Sequence, residues 1–199
     1  MAKRVLIAGI VAGILLFVWG GLYHDFLSFG EIGLKELPNE QAFTAVTKAN
    51  IPEPGMYLFP TTGLSPNATH AERMAKMEEV NKKAASGPQG VLIYRPIGAP
   101  LSAKMLVTEC LTNIVQALLV AFVLAQFTVR RFASRLGLAI VIGLVAAITT
   151  NVSLWNWYGF PSSWIVSNMV FLVIGYFLVG LVVAAIVKTG TSKAAATTA

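Results

Sequence analysis

The chain has 199 residues, of which 56% are hydrophobic and 12% are charged. This composition is too apolar for an ordinary soluble domain and indicates a membrane protein. The single cysteine, Cys110, excludes an intrachain disulfide and any metal site built from several cysteines. The formal net charge of +6 does not predict nucleic-acid binding, because the basic residues are not gathered into one soluble patch.

Four segments are long and apolar enough to cross a membrane, which takes about 20 residues. They cover approximately residues 5–23, 104–129, 136–155 and 164–187. The basic sequence MAKR precedes the first segment, but no cleavage site of the A-x-A type follows it, so we predict a retained anchor. The predicted fold is an all-α integral membrane protein with four transmembrane helices, the first within 1–23 and the others within 104–187.

Residues 24–103, between the first two spans, are predicted to form a small α+β extramembrane cap. The sequence LPNEQAFTAVTKAN (37–50) indicates a helix with Pro38 near its first turn. A short strand is predicted at 56–59, after a turn that contains Pro54 and Gly55.

A second helix in this segment is predicted from Thr69, where Thr69 and Glu72 fit a capping box. This helix should extend to about Ala85, because Gly87 and Pro88 then interrupt it. A second strand is predicted at 90–96, and the two strands are expected to pair. The tail 188–199 has low complexity and is predicted to be flexible and cytoplasmic.

The second span carries four polar residues, Glu109, Thr112, Asn113 and Gln116, at i, i+3, i+4 and i+7. This spacing places them on one face of a helix. We expect this face to point into the bundle, where polar groups of the other helices would meet it in a candidate polar pocket. Those groups are Thr149 and Asn151 in helix 3, Asn168 in helix 4, and His24 and Asp25 at the end of helix 1.

Two interpretations of this polar stripe remain open. Polar side chains bond across membrane helices for about 0.6 kcal/mol on average, which gives the stripe a purely structural use. An intramembrane carboxylate is also a typical site for an ion, a proton or a ligand. The sequence does not decide whether Glu109 is structural or functional.

Small residues recur every fourth position in two spans. Gly9 and Gly13 do so in helix 1, and Ala139, Gly143 and Ala147 do so in helix 3. This spacing lets helix backbones approach closely. It predicts packing within the bundle, with contact to a partner helix as the alternative.

An uncharged and aromatic link is predicted between helices 3 and 4, around residues 156–163. Aromatic residues that combine an apolar ring with a polar tip are typical of the membrane interface. The alternative is a ligand-facing aromatic surface, whose candidate residues are Trp155, Trp157, Tyr158 and Trp164.

Basic residues predict the topology, since short loops rich in Lys and Arg stay in the cytoplasm. Three basic clusters fall on one side of the predicted spans: Lys3 and Arg4, then Arg130, Arg131 and Arg135, then Lys188 and Lys193. Both termini are therefore expected to be cytoplasmic, with 24–103 outside, in the periplasm of a bacterium.

Four stretches distributed along the chain resemble an uncharacterised group of small bacterial four-helix membrane proteins. They are LPNEQAF (37–43), NIPEPGMY (50–57), LTNIVQALL (111–119) and NVSLWNWYGFP (151–161). The resemblance extends from helix 1 to helix 4. It implies a bacterial inner membrane and no catalytic residue.

No catalytic residue, cofactor or metal site is predicted, because the chain has two histidines and no phosphate-binding glycine loop. The expected function is a non-catalytic accessory or scaffolding subunit of a larger membrane complex. Its partners would be the lipid bilayer and other membrane subunits or a second copy, with no nucleic acid. One alternative is a binding protein or transporter that uses the outer polar pocket. Another is a membrane enzyme acting on a lipid or quinone, with Glu109, His24 and Asp25 as acid-base groups.

Overall fold

The computed structural model describes residues 1–127, 129 and 131–187, so the predicted tail 188–199 lies outside the described residues. Four helices in this part of the chain are long and apolar enough to cross a membrane, which confirms that prediction. They are α1 (Ala2–Gly21), which continues as a π-helical turn over Leu22–Phe26, α4 (Ala103–Gln126), α5 (Phe132–Tyr158) and α6 (Ser162–Ile186). The protein is therefore of the multi-pass membrane class.

The four helices form an antiparallel bundle in which α1 packs along α4, α6 packs along α5, and α1 contacts α6. The contacts of α4 with α5 are few, so one side of α4 has no neighbouring helix in the described part of the chain. The bundle has two ends. The Arg135 end contains the beginnings of α1 and α5 and the last turns of α4 and α6. The Tyr23 end contains the opposite termini of these helices.

Small residues allow the helices to approach closely. A side chain at Gly9 would come within 2.8 Å of the Leu118 Cα, and Gly13 lies equally tightly against Ile114 of α4. A side chain at Gly180 in α6 would meet the Ala139 Cβ at 2.7 Å. The prediction that the small residues pack within the bundle is confirmed, and the core around them consists mainly of alanine, valine and leucine.

The ends of α5 differ from the sequence prediction. This helix begins at Phe132, so Arg135 lies inside α5 and not in the link before it. It ends at Tyr158, so Trp155, Trp157 and Tyr158 lie on its last turns. The connection to α6 is correspondingly short and contains Gly159 at φ +69°, a conformation that suits glycine. The α5 helix thus includes residues at both ends that the sequence had placed in the connecting loops.

Residues Lys35–Pro100 form a separate compact unit, shorter at both ends than the predicted segment 24–103. Its first helix, α2, spans Glu40–Asn50, and the Asn39 side chain caps it by accepting a hydrogen bond from the Ala42 amide at 3.0 Å. Pro38 lies near the first turn, as predicted, but it precedes the Asn39 cap, and the helix begins at Glu40 and not at residue 37.

The remaining elements of this unit agree with the sequence. Helix α3 spans His70–Ser86 and begins with the predicted capping box. The Glu72 carboxylate accepts from the Thr69 amide at 2.7 Å, and the Glu72 amide donates to the Thr69 hydroxyl at 3.3 Å. Strands β1 (Gly55–Phe59) and β2 (Gly90–Tyr94) pair antiparallel, with Gly55 opposite Tyr94.

Candidate functional site

The polar stripe of α4 does not face the bundle interior as a whole. Asn113 is buried at 7% exposure and Gln116 is half-buried, whereas Glu109 and Thr112 are exposed. The buried face of α4 continues from Asn113 through Ala117, Val120, Ala121 and Leu124. Glu109 and Thr112 flank this face, because α4 is covered mainly by α1 and has no neighbour on its other side.

Three members of the α4 stripe, Glu109, Thr112 and Asn113, are bonded within their own helix. The Thr112 hydroxyl donates to the Thr108 carbonyl at 2.9 Å, and the Thr108 hydroxyl donates to the Lys104 carbonyl at 2.8 Å. The Asn113 amide donates to the Glu109 carboxylate at 3.2 Å. Such bonds to residues one turn earlier need no partner helix. The spacing therefore identified a shared helix face but not what covers it.

The predicted pocket members of α5 and α6 make no hydrogen bond to the α4 stripe within the described residues. Thr149 is exposed and Asn168 is half-buried. Asn151 is buried at 3% exposure, and its amide donates to the Ala147 carbonyl and the Thr150 hydroxyl, both at 2.9 Å. The interhelical bonds expected for the pocket are replaced by bonds within α5.

His24 and Asp25 lie on the exposed π-helical turn that follows α1. The His24 ring packs edge-on against Tyr23, with ring centroids 5.3 Å apart, and against Phe171, at 5.4 Å. No hydrogen bond joins His24 or Asp25 to the α4 stripe in the described part of the chain. The imidazole belongs instead to an aromatic cluster between α1 and α6.

A hydrogen-bond network at the Tyr23 end was not predicted from the sequence. The Tyr23 ring is buried at 2% exposure, and its hydroxyl donates to the Ser167 carbonyl at 2.7 Å and also contacts the Ser167 hydroxyl. The Ser167 hydroxyl donates to the Phe29 carbonyl at 2.8 Å. One turn deeper, the Trp19 indole donates to the Phe171 carbonyl at 3.1 Å. These bonds fix the end of α1 to the first turns of α6.

An open groove of about 570 Å³ lies beside this network. The groove surface is almost entirely apolar, although serines take part in its lining. The lining residues are Tyr23, Phe29, Ile32, Ser162, Ser163, Val166, Ser167 and Val170. The volume falls within the range of about 300–1,000 Å³ typical of small-molecule sites. Tyr23 and Ser167 were not among the site residues predicted from the sequence. The signal that was available is the i, i+4 repeat of Trp19 and Tyr23, matched by Ser167 and Phe171.

The candidate aromatic surface adjoins this groove but does not line it. Trp155, Trp157 and Tyr158 are exposed, and none of them lines the groove. Trp164 is half-buried and packs against Phe160 with ring centroids 5.0 Å apart. The Trp155 indole donates to the Ser162 hydroxyl at 3.1 Å. This arrangement fits an interfacial belt and a ligand-facing surface equally.

The exposed side of α4 carries a second, shallower groove of about 340 Å³. Its lining residues alternate in polarity: Thr108, Leu111, Thr112, Val115 and Gln116. We call this surface the α4 face. The described residues contain no group of three or more His, Cys, Asp or Glu side chains that could hold a metal ion.

No protein-family model, curated protein or solved structure matches the chain. Function is therefore inferred from the geometry and chemistry of these surfaces.

Proposed function

We propose that this protein is a non-catalytic subunit of a larger membrane complex and that the α4 face binds a spanning helix of another subunit. The observation that carries this proposal is the exposure of Thr112 and Glu109 on a helix long and apolar enough to cross a membrane. The side of α4 opposite α1 has few contacts within the bundle, so the surface is available.

Energetics favour a partner over lipid at this surface. A carboxylate that faces lipid at the bilayer centre costs about 2.5–3.5 kcal/mol, and less near the interface. Thr112 and Glu109 keep their bonds within α4, but the carboxylate has further acceptor sites. A partner helix that covers Glu109, Thr112 and Gln116 would offer these sites protein donors in place of lipid. Thr and Gln side chains at helix contacts in membranes form hydrogen bonds across the helices. The α4 face therefore has the composition of a helix-docking surface.

Photocrosslinking tests this proposal directly. A photoreactive amino acid at position 112 should give one discrete cross-linked protein in the native membrane. The matched control is position 145, because Val145 is also strongly exposed but lies on α5. A cross-link to a second copy would identify a homo-oligomer, and a different protein would identify a hetero-complex. No discrete product from position 112, or equal products from both positions, would contradict the proposal.

The proposed location is a bacterial inner membrane with both termini in the cytoplasm and residues 24–103 in the periplasm. Its support is the placement of basic residues, of which Lys3, Arg4, Arg131 and Arg135 lie at one end of the bundle. Arg130, Lys188 and Lys193 lie outside the described residues. Reporter fusions after residue 81 and after residue 188 test this topology, and a periplasmic signal from residue 188 would overturn it.

The groove beside Tyr23 favours a second function, which is the binding of an amphiphilic small molecule such as a lipid or quinone. Its almost entirely apolar walls suit the acyl or isoprenoid chain of such a molecule. Val166→Trp should fill the groove and reduce the amount of bound amphiphile, whereas Val152→Trp on α5 should not. Unchanged binding in Val166→Trp would remove this candidate. No hydrogen bond among the described residues joins Glu109, His24 and Asp25, so nothing favours the enzyme alternative.

A further inference from the structure

Arg135 is a buried cation at the Arg135 end of the bundle. Only 4% of its surface is exposed, although it lies in the second turn of α5. One guanidinium nitrogen, Nη2, donates to the Val183 carbonyl of α6 at 3.2 Å. The Nε atom is buried and has no hydrogen-bond partner in the described part of the chain.

The chain offers this arginine no acidic side chain nearby. All nine acidic residues occur at or before Glu109, which lies on the far half of α4, and none occurs in α5 or α6. An unpaired buried charge is strongly unfavourable, and arginines within membrane segments normally have an identifiable partner. The protein therefore supplies no acidic side chain to pair with the positive charge of Arg135.

A role as the cap of α6 explains only one of the hydrogen bonds that the Arg135 guanidinium can donate. The last carbonyls of a helix carry a partial negative charge, and Arg135 donates to one of them. Guanidinium has five N–H donors, so a single carbonyl bond leaves most of its capacity unused. The unpaired Nε group in particular requires an acceptor that the described residues do not provide.

We propose that Arg135 binds a phosphate group, supplied by the headgroup of an anionic phospholipid. The planar guanidinium fork matches phosphate oxygens, and basic pockets between membrane helices on the cytoplasmic side are typical lipid headgroup sites. Lys3, Arg4 and Arg131 lie exposed at the same end and attract an anion to it. A headgroup phosphate bound at this guanidinium gives Nε the acceptor that it lacks.

Thermal unfolding of the purified full chain in neutral detergent tests this proposal. Added phosphatidylglycerol should raise the unfolding midpoint, whereas equal amounts of zwitterionic phosphatidylcholine should raise it much less. Inorganic phosphate forms the third arm. If phosphate alone produces the same shift, the ligand is a free phosphate and the lipid assignment is overturned. Equal shifts with both lipids would overturn the phosphate site itself, and this comparison needs no variant.

The variant series distinguishes a headgroup site from a cap and from general surface attraction. In Arg135→Gln, the phosphatidylglycerol concentration for half of the shift should rise by about tenfold or more, since a charged hydrogen bond contributes about 1.5–3 kcal/mol. Arg131→Gln removes the same charge from an exposed position and should have a smaller effect. Equal effects would indicate diffuse attraction, and an unchanged lipid response in Arg135→Gln would indicate only a helix cap. Either result overturns the proposal.

Discussion

The helical bundle and the unit Lys35–Pro100 are stabilised by different kinds of contact. The buried apolar residues of the described chain all lie in the bundle, on helices that are distant in sequence. In Lys35–Pro100 only Thr47 is buried among the described residues, and its hydroxyl bonds to its own helix. That unit depends instead on helix caps, ion pairs within α3 and one strand pair.

This difference determines where substitutions should act. A change at a close helix contact should affect the whole bundle, because its core is shared by all four helices. A change at a cap should affect one helix of Lys35–Pro100 and leave the bundle intact.

Gly13→Leu should be the most damaging of these substitutions. The added side chain would collide with Ile114 of α4, and such overpacking typically costs about 1–3 kcal/mol. The matched control is Gly20→Leu, since nothing lies within 4 Å of a side chain at Gly20 in the same helix. The free energy of unfolding in mixed micelles measures both. Equal losses would show that α1 and α4 do not depend on close approach.

Tyr23→Phe should destabilise the bundle by about 0.5–1.5 kcal/mol, because the buried hydroxyl loses its bonds to Ser167 while the ring remains. Tyr158→Phe is the control, since that side chain is exposed. A double-mutant cycle with Ser167→Ala should show a coupling between positions 23 and 167. Strict additivity would contradict the network.

Thr69→Ala should weaken α3 by about 1 kcal/mol through loss of the capping box. Amide hydrogen exchange should accelerate in His70–Ser86 and stay unchanged in the bundle. Thr61→Ala is the control, because Thr61 lies outside the helices and strands. Faster exchange in α5 or α6 as well would show that the two regions are energetically coupled. It would contradict the expectation that a lost cap leaves the bundle intact.

Acid should weaken α3 slightly. Hydrogen bonds from Lys76 and Lys83 lower the pKa of Glu79 from 4.5 to about 2, and those from Thr69 lower the pKa of Glu72. Because these carboxylates have depressed folded-state pKa values, their contribution is complete above pH 4.5 and is lost as the pH falls toward about 2. Glu79→Gln should flatten this dependence of α3 exchange. A pH-independent α3 in the unmodified chain would refute it.

Local patterns in the sequence predicted much of the fold. The four apolar helices, the Thr69–Glu72 capping box and the β1–β2 pair each depend on residues within one element or on turn chemistry beside it. The small residues of α1 and α5 were also informative, because close approach requires small side chains wherever the neighbour lies. These features need no knowledge of which helices are adjacent.

The candidate site could not be predicted in the same way, because it depends on which helices lie side by side. No local sequence pattern contains that information. The α4 stripe shares one face, but α4 lies beside α1 and leaves Glu109 and Thr112 exposed. The bond between Tyr23 and Ser167 joins residues 144 positions apart. Arg135 was assigned to a basic link, and only the packing of α5 against α6 buries it. Side-chain periodicity identifies a face, and tertiary packing decides what covers it.

Native mass spectrometry of the protein, extracted in mild detergent from its native membrane, tests the proposed subunit role most directly. We expect a particle heavier than the 21.3 kDa chain by at least one discrete protein subunit. Thr112→Leu combined with Gln116→Leu should release the subunit, whereas Val141→Leu combined with Val145→Leu on exposed α5 positions should retain it. A lone 21.3 kDa chain in the unmodified protein, or the same complex in both double variants, would contradict binding through the α4 face.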